Sequence, residues 1–182
     1  MERPAHDQAG STVATAAFEN TFRAEYGYVW HTLRRLGVAE RDSDDMANEV
    51  FVRVHQRFAT YDPTRPIRPW LFAFAARVAA DYRKLAHNRR EVVGDPGSEP
   101  KVAAVAETLA SAREDRELLA RALDMLDMDK RIVVVAHDID EQGAPEIARA
   151  LEIPLPTVYT RLRNGRAELA SAVRQLRLRK TT

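Results

Sequence analysis

Residues 144–173, APEIARALEIPLPTVYTRLRNGRAELASAV, limit the possible folds more than any other stretch of this chain. Pro145 suits the first position of a short helix. EIPLP then supplies a tight, proline-bearing turn, and Val158, Leu162, Leu169, Val173 and Leu176 recur on one face of a longer helix. Short helix, turn, long helix is the arrangement of a helix-turn-helix. Its first helix braces the second, whose N-terminal residues can then reach base edges in a DNA major groove. The outward side of the second helix offers Thr157, Thr160, Arg161 and Asn164 at i, i+3, i+4 and i+7, with Tyr159, Arg163 and Arg166 beside them. Hydroxyl and guanidinium groups suit phosphate oxygens, and arginine also suits guanine. An ordinary antiparallel helix pair with a basic face is the competing reading. Gly165, inside the helix, is expected to cost about 1 kcal/mol relative to Ala.

The formal net charge of +1 hides a partition. Residues 65–90 carry seven Lys/Arg against Asp81, and residues 161–180 carry seven against Glu168, +6 each; the other 136 residues therefore total −11. Two basic segments in an acidic body point to two contacts with a polyanion, or to two solvated helix faces.

The first basic segment, RPIRPWLFAFAARVAADYRKLAHNRR, is also aromatic. As a helix it places Leu71, Phe74, Val78, Tyr82 and Leu85 on one inward side, with Trp70 and Phe72 on the flanks. Before it, YDPTRPIRP contains three prolines and reads as an extended loop. Upstream, Phe18, Phe22, Tyr26, Val29, Trp30, Leu33 and Leu36 share one helical face, and Gly37 stands at a C-cap position. The following helix, DSDDMANEVFVRVHQRF, takes Asp42 or Ser43 as its cap and Asp44 and Asp45 against its positive end. Met46, Val50, Val54 and Phe58 form its stripe, leaving Asp45, Asn48, Glu49, Arg53 and Gln56 outside.

VVGDPGSEPK is the best domain boundary. After it, Leu119, Leu123 and Leu126 are in helical phase. KRIVVVAHDI could be strand or helix; with no partner strand visible elsewhere it is read as helix, ended by Gly143.

The chain has no cysteine, which excludes disulfides and thiolate metal sites. The five histidines are scattered without ligand spacing, and no catalytic, metal or cofactor constellation is expected. The longest nearly uncharged apolar run, PWLFAFAA, falls well short of the ~20 residues a spanning helix needs, so no direct membrane insertion is expected.

SDDMANEVFVRVHQRFATYD, a Pro-rich loop, WLFAFAARVAADYRK and, after a linker, EIARALEIPLPTVYTRLRNGRAEL together resemble the extracytoplasmic-function (ECF) group of the sigma-70 family of bacterial RNA polymerase sigma factors. The resemblance covers about residues 18–90 and 113–175. It implies an all-α fold of two small helical domains joined by a flexible linker: a tail over 1–16, expected to be disordered; region 2 over 17–90; a linker over 91–112; and region 4 over 113–178.

It also implies roles. Asp45, Asn48, Glu49, Arg53 and Gln56 fall in region 2.2, which docks on the β′ clamp helices of core RNA polymerase, while the β flap is the expected contact of region 4. Residues 60–68 and the start of the next helix resemble regions 2.3 and 2.4, which hold the separated strand at the −10 element. There Tyr61, Trp70 and Phe72 are candidates to stack on bases, and Arg65, Arg68, Arg77, Arg83 and Lys84 to hold the backbone; Trp70 could equally pack against the bundle. Thr157, Thr160, Arg161 and Arg166 fall on the −35-reading pattern of region 4. Departures are Ala76-Arg77 where many relatives have Arg-Asn, Glu152 where they have Gly, and Asn164-Gly165 where Arg-Ala is common. The expected protein is a cytoplasmic, non-enzymatic promoter-specificity subunit with an anti-sigma partner. The rivals are a DNA-binding regulator acting without core polymerase and an interaction protein that titrates an anti-sigma factor.

Overall fold

In the computed structural model, the structure describes residues 6–93 and 107–180. All regular structure among them is helical: α1 (His6–Arg35), α2 (Glu40–Arg57) with a short 3-10 turn at Phe58–Thr60, α3 (Ile67–Val93), α4 (Glu107–Asp124), α5 (Met128–Val134) running into a π-turn at Val135–Ile139, α6 (Ala144–Leu151) and α7 (Leu155–Lys180). No helix among these residues is long and apolar enough to cross a membrane.

α1, α2 and α3 form the N-terminal bundle around Val29, Leu33, Leu36, Val50, Val54, Leu71 and Val78. α1 ends at Gly37 as its sequence requires. The glycine takes φ +96, and Val38 N–H returns to Leu33 C=O at 3.0 Å, a Schellman-type closure. α4 to α7 bury Leu123, Leu126, Val133, Val134, Ile147, Val158 and Leu162. These two sets are one continuous core, because α6 packs on α3.

That shared core explains several departures from the sequence reading. Phe72, expected on an exposed flank, is 1% exposed, and every residue from Leu71 to Ala76 is buried; α3 is covered by α1 and α2 on one side and by α6 on the other. Leu85, expected inward, is 60% exposed. The Tyr82 hydroxyl already lies at the start of α2, on Asp42 and Ala39, so α3 runs past the end of its partner before reaching Leu85.

α2 starts earlier than expected. Ala39 is its N-cap, without a side-chain bond, and Ser43 lies one turn inside, buried, donating to Ala39 C=O. Gly143 does not end α5. That segment is helical but closes at Ile139, and Gly143 is the N-cap of α6, with Pro145 at its second residue. α1 begins at His6, so residues 6–16 of the expected tail lie in a helix. Of the expected linker, 94–106 lies outside the described residues, while 91–93 and 107–112 belong to α3 and α4.

Candidate nucleic-acid interface

The helix-turn-helix is formed by α6 and α7. Between them Glu152 adopts a left-handed conformation (φ 58, ψ 40), and Ile153 N–H returns to Ala148 C=O at 3.0 Å. This closure is the kind that usually calls for glycine. Ile147, Val158 and Leu162 are buried at the crossing, which fixes the rotation of α7 and so decides which residues face outward. Tyr159, 55% exposed, stands on the outer face with Thr160, Arg163 and Asn164. Thr157 is half-buried, and the Thr160 hydroxyl donates to Pro156 C=O.

Two neighbouring arginines of this helix, Arg161 and Arg166, are engaged. Arg161 pairs with Asp129 of α5. Arg166 grips Asp138 with two bonds, Nε to Oδ2 at 2.8 Å and Nη2 to Oδ1 at 2.5 Å, and the hydrogen bonds from Arg166 hold the Asp138 carboxyl below its ordinary range. Both are thus tied to the protein's own carboxylates, whereas Tyr159, Arg163 and Asn164 present exposed side chains.

Gly165 is buried at the α5–α7 contact. A Cβ there would stand 2.7 Å from Val134 Cγ2 and 3.2 Å from Lys130 Cβ, so the absent side chain permits close approach of the two helices.

The second surface begins at the loop before α3. Asp62 accepts from the Thr64 amide and hydroxyl, which lowers its pKa, and it also meets Arg65 at 3.1 Å. The Tyr61 hydroxyl donates to Arg65 C=O. Trp70 is half-buried, 5.1 Å from the Tyr61 ring and 4.9 Å from Phe74. Arg68 pairs with Glu25 at 2.9 Å and lies over the Tyr28 ring. Lys84 is exposed. Arg77 and Arg83 meet carboxylates of the C-terminal half, Glu152 at 3.4 Å and Asp124 at 3.8 Å. Tyr61 and Trp70 line a cleft of about 210 Å³ whose opposite wall is Glu146, Arg149 and Ala150 of α6. Aromatic faces and cations in one groove suit a single strand. Phe72 contributes only to the core beneath it.

On α2, Asp45, Asn48 and Gln56 are exposed, and Arg53 bridges Glu49 at 2.8 Å and Asp81 at 3.3 Å. Val52, also exposed, adds an apolar spot among them. It was legible in the sequence as a valine off the buried stripe.

Unforeseen from sequence is a polar cluster between the halves. Asp140, in the loop after the π-turn, has a side chain only 3% exposed; it accepts from the Tyr28 hydroxyl at 2.8 Å and from Arg35 at 2.6 Å. Burial raises the pKa of Asp140, and burial beside this carboxylate pushes the Tyr28 phenol up as well. Gln142 donates to the Tyr28 oxygen. Arg131, buried, donates to Arg35 C=O at 2.6 Å and pairs with Asp124. Desolvation lowers the pKa of its guanidinium.

The sigma-70 region 2 model matches residues 21–89, and the sigma-70 region 4 model matches residues 116–169. The chain is 32% identical over 174 residues to the ECF RNA polymerase sigma factor SigL of Mycobacterium tuberculosis, covering 93% of each. It is 28% identical over 154 residues to the RNA polymerase sigma factor CnrH of Cupriavidus metallidurans, covering 76% of each. Among solved structures, CnrH in complex with the cytosolic domain of CnrY superposes with a TM-score of 0.65 at 24% identity, over 91% of this chain and 94% of that one. The sigma factor RpoE in complex with the anti-sigma factor NepR from Bartonella quintana gives 0.64 at 16% identity, over 87% and 97%.

Proposed function

The chain belongs to the ECF group of the sigma-70 family, and from that premise we propose a division of labour among its residues. As a sigma factor it binds core RNA polymerase, recognises the −35 and −10 promoter elements and promotes DNA opening. Residues 17–90 act as region 2, 113–178 as region 4, and 91–112 as the link. The exposed face of α2, with Asp45, Asn48, Gln56 and the Glu49–Arg53 pair, docks on the β′ clamp helices of the polymerase, and region 4 meets the β flap. Tyr61, Trp70, Arg65, Arg68, Arg77, Arg83 and Lys84 hold the separated −10 strand; Phe72 is left out because it is buried. The protein acts in the cytoplasm, catalyses no reaction, and is held in reserve by an anti-sigma protein.

The observation that carries this reading is the outer face of α7, where Tyr159, Thr160, Arg163 and Asn164 stand together on the second helix of a braced helix-turn-helix. Base readout falls to these four and to Thr157. Arg161 and Arg166, each held by a carboxylate, orient the helix and meet the phosphate backbone.

In vitro transcription with core polymerase and a genomic promoter pool tests it. Wild-type chain should give core-dependent transcripts, and Arg163→Ala with Asn164→Ala should abolish them while core binding persists. Specific duplex binding by the chain alone, with no transcript when active core is added, would favour a regulator that works without polymerase.

A further inference from the structure

The helix that starts as α5 widens at Val135–Ile139 into a π-turn, closed by Asp140 N–H on Val135 C=O at 3.0 Å. Such turns are uncommon and recur at functional sites, because an extra residue in the turn changes where the neighbouring side chains lie. Here Val135 and Ala136 stay in the core, while His137 and Asp138 meet Arg166 in the middle of α7.

This contact differs from an ordinary surface ion pair. Arg166 binds Asp138 along one edge of its guanidinium, Nε to Oδ2 at 2.8 Å and Nη2 to Oδ1 at 2.5 Å. His137 Nδ1 lies 2.8 Å from the same Oδ1 and 3.2 Å from Nη2, so the carboxylate has a second support. Nη1 makes no bond among the described residues, and the Arg166 side chain is half-exposed. A planar fork gripped on one edge turns little and keeps its other edge for a further partner. Asp129 does less for Arg161: it takes a single bond, from Nη2, and is itself 64% exposed. One exposed contact leaves the torsions of a long side chain largely free.

We propose that Asp138 is a positioning residue for promoter DNA: it fixes the plane of Arg166 so that Nη1 is held ready for a phosphate oxygen of the −35 duplex. This rests on the assignment of Arg166 to the phosphate backbone.

The carboxylate has two opposing effects on DNA. As a negative charge it repels the polyanion. Its removal adds one unit to the formal net charge of +1 and on charge alone should tighten binding. As a clamp it removes rotamer freedom from a long side chain before DNA arrives, so less is lost on binding. Asp138 is already neutralised by Arg166 and its side chain is 27% exposed, so it repels weakly and the clamp prevails.

Holoenzyme assembled from core polymerase and the full-length chain can be titrated, over a range of salt, onto a promoter fragment recovered by transcription from the genomic pool. Asp138→Asn should weaken binding about fivefold, the cost of ordering one long side chain anew, although this variant is the more basic protein. Arg166→Ala should weaken it further and flatten the slope of log affinity against log salt by about 0.9, the share of one phosphate contact. In the Arg166→Ala background, Asp138→Asn should cause no further loss, because only its charge is left to matter. His137→Ala removes the second support of the carboxylate but leaves the ion pair. It should weaken binding by less than Asp138→Asn, and it serves in its place if that variant does not fold.

Unchanged or tighter binding by Asp138→Asn would overturn the positioning role and leave the phosphate contact standing. So would a loss that persists in full beside Arg166→Ala, because Asp138 would then act through the fold and not through Arg166. Unchanged affinity and salt slope in Arg166→Ala would refute the phosphate assignment, and the positioning role with it.

Discussion

Replacing Gly165 by alanine sets two effects of opposite sign against each other. Alanine is favoured over glycine in a helix interior by about 1 kcal/mol, so on local grounds Gly165→Ala should stabilise α7. The new methyl, however, would lie 2.7 Å from Val134 Cγ2, against about 3.5–4.0 Å for comfortable carbon contact. Val134 is buried and β-branched, with one favoured rotamer in a helix, so it cannot swing aside as a lysine tip could. Lys130 Cβ, at 3.2 Å, blocks the other direction of relief. Opening the α5–α7 crossing instead costs about 2–3 kcal/mol, in the range for added methylenes in a packed core. The net is a loss of about 1–2 kcal/mol, or roughly 5 °C in Tm for a chain of this size.

A double-mutant cycle tests the cause by urea unfolding followed with far-UV circular dichroism. Val134→Ala alone should cost about 2 kcal/mol by lost burial. In that background Gly165→Ala should become stabilising by about 1 kcal/mol, which gives a favourable coupling of about 2–3 kcal/mol. A stabilising Gly165→Ala in the wild-type chain, or simple additivity, would refute the close-approach argument and leave helix propensity as the governing effect.

Three further outcomes are expected. Glu141, at φ 54, pays for a left-handed conformation that glycine adopts without strain, so Glu141→Gly should raise Tm, by about 1 kcal/mol in stability, with α6 unchanged. Arg131→Met should be close to neutral in urea unfolding, whereas Asp124→Ala should cost about 2 kcal/mol, because the second leaves a buried guanidinium without its carboxylate. Asp138 is held below its ordinary 3.8 by hydrogen bonds from Arg166, so its contribution is complete above that value and fades as pH falls through the lower folded value. Between about pH 5 and about pH 3, Asp138→Asn should therefore lose less stability than the parent, by a fraction of a kcal/mol; an equal loss in an acid titration of stability would contradict this.

Much of the candidate site was legible because its parts are local. The i, i+3, i+4, i+7 spacing of Thr157, Thr160, Arg161 and Asn164 follows from helix geometry alone, and the buried stripe through Val158 and Leu162 indicates which way they point. What the pattern could not separate was engaged from available: Arg161 and Arg166 look like Arg163 in the sequence, but only the fold brings Asp129 and Asp138 against them. Trp70 shows the same limit. It packs on Phe74 and also borders the cleft, so packing against the bundle does not remove it from the surface.

By itself, then, the sequence determined the helices, the Gly37 stop, the helix-turn-helix and the two basic segments, since each rests on periodicity, capping or charge within a few turns of chain. Tertiary structure alone decided that Phe72 is core, that Leu85 is outside, that Gly165 is a point of close approach, and that Asp140 and Arg131 reach α1 across 105 and 96 residues. The physical reason is that the burial or partner of a side chain depends on what the rest of the chain brings to it. The second face of α3 became interior only when α6 was laid across it.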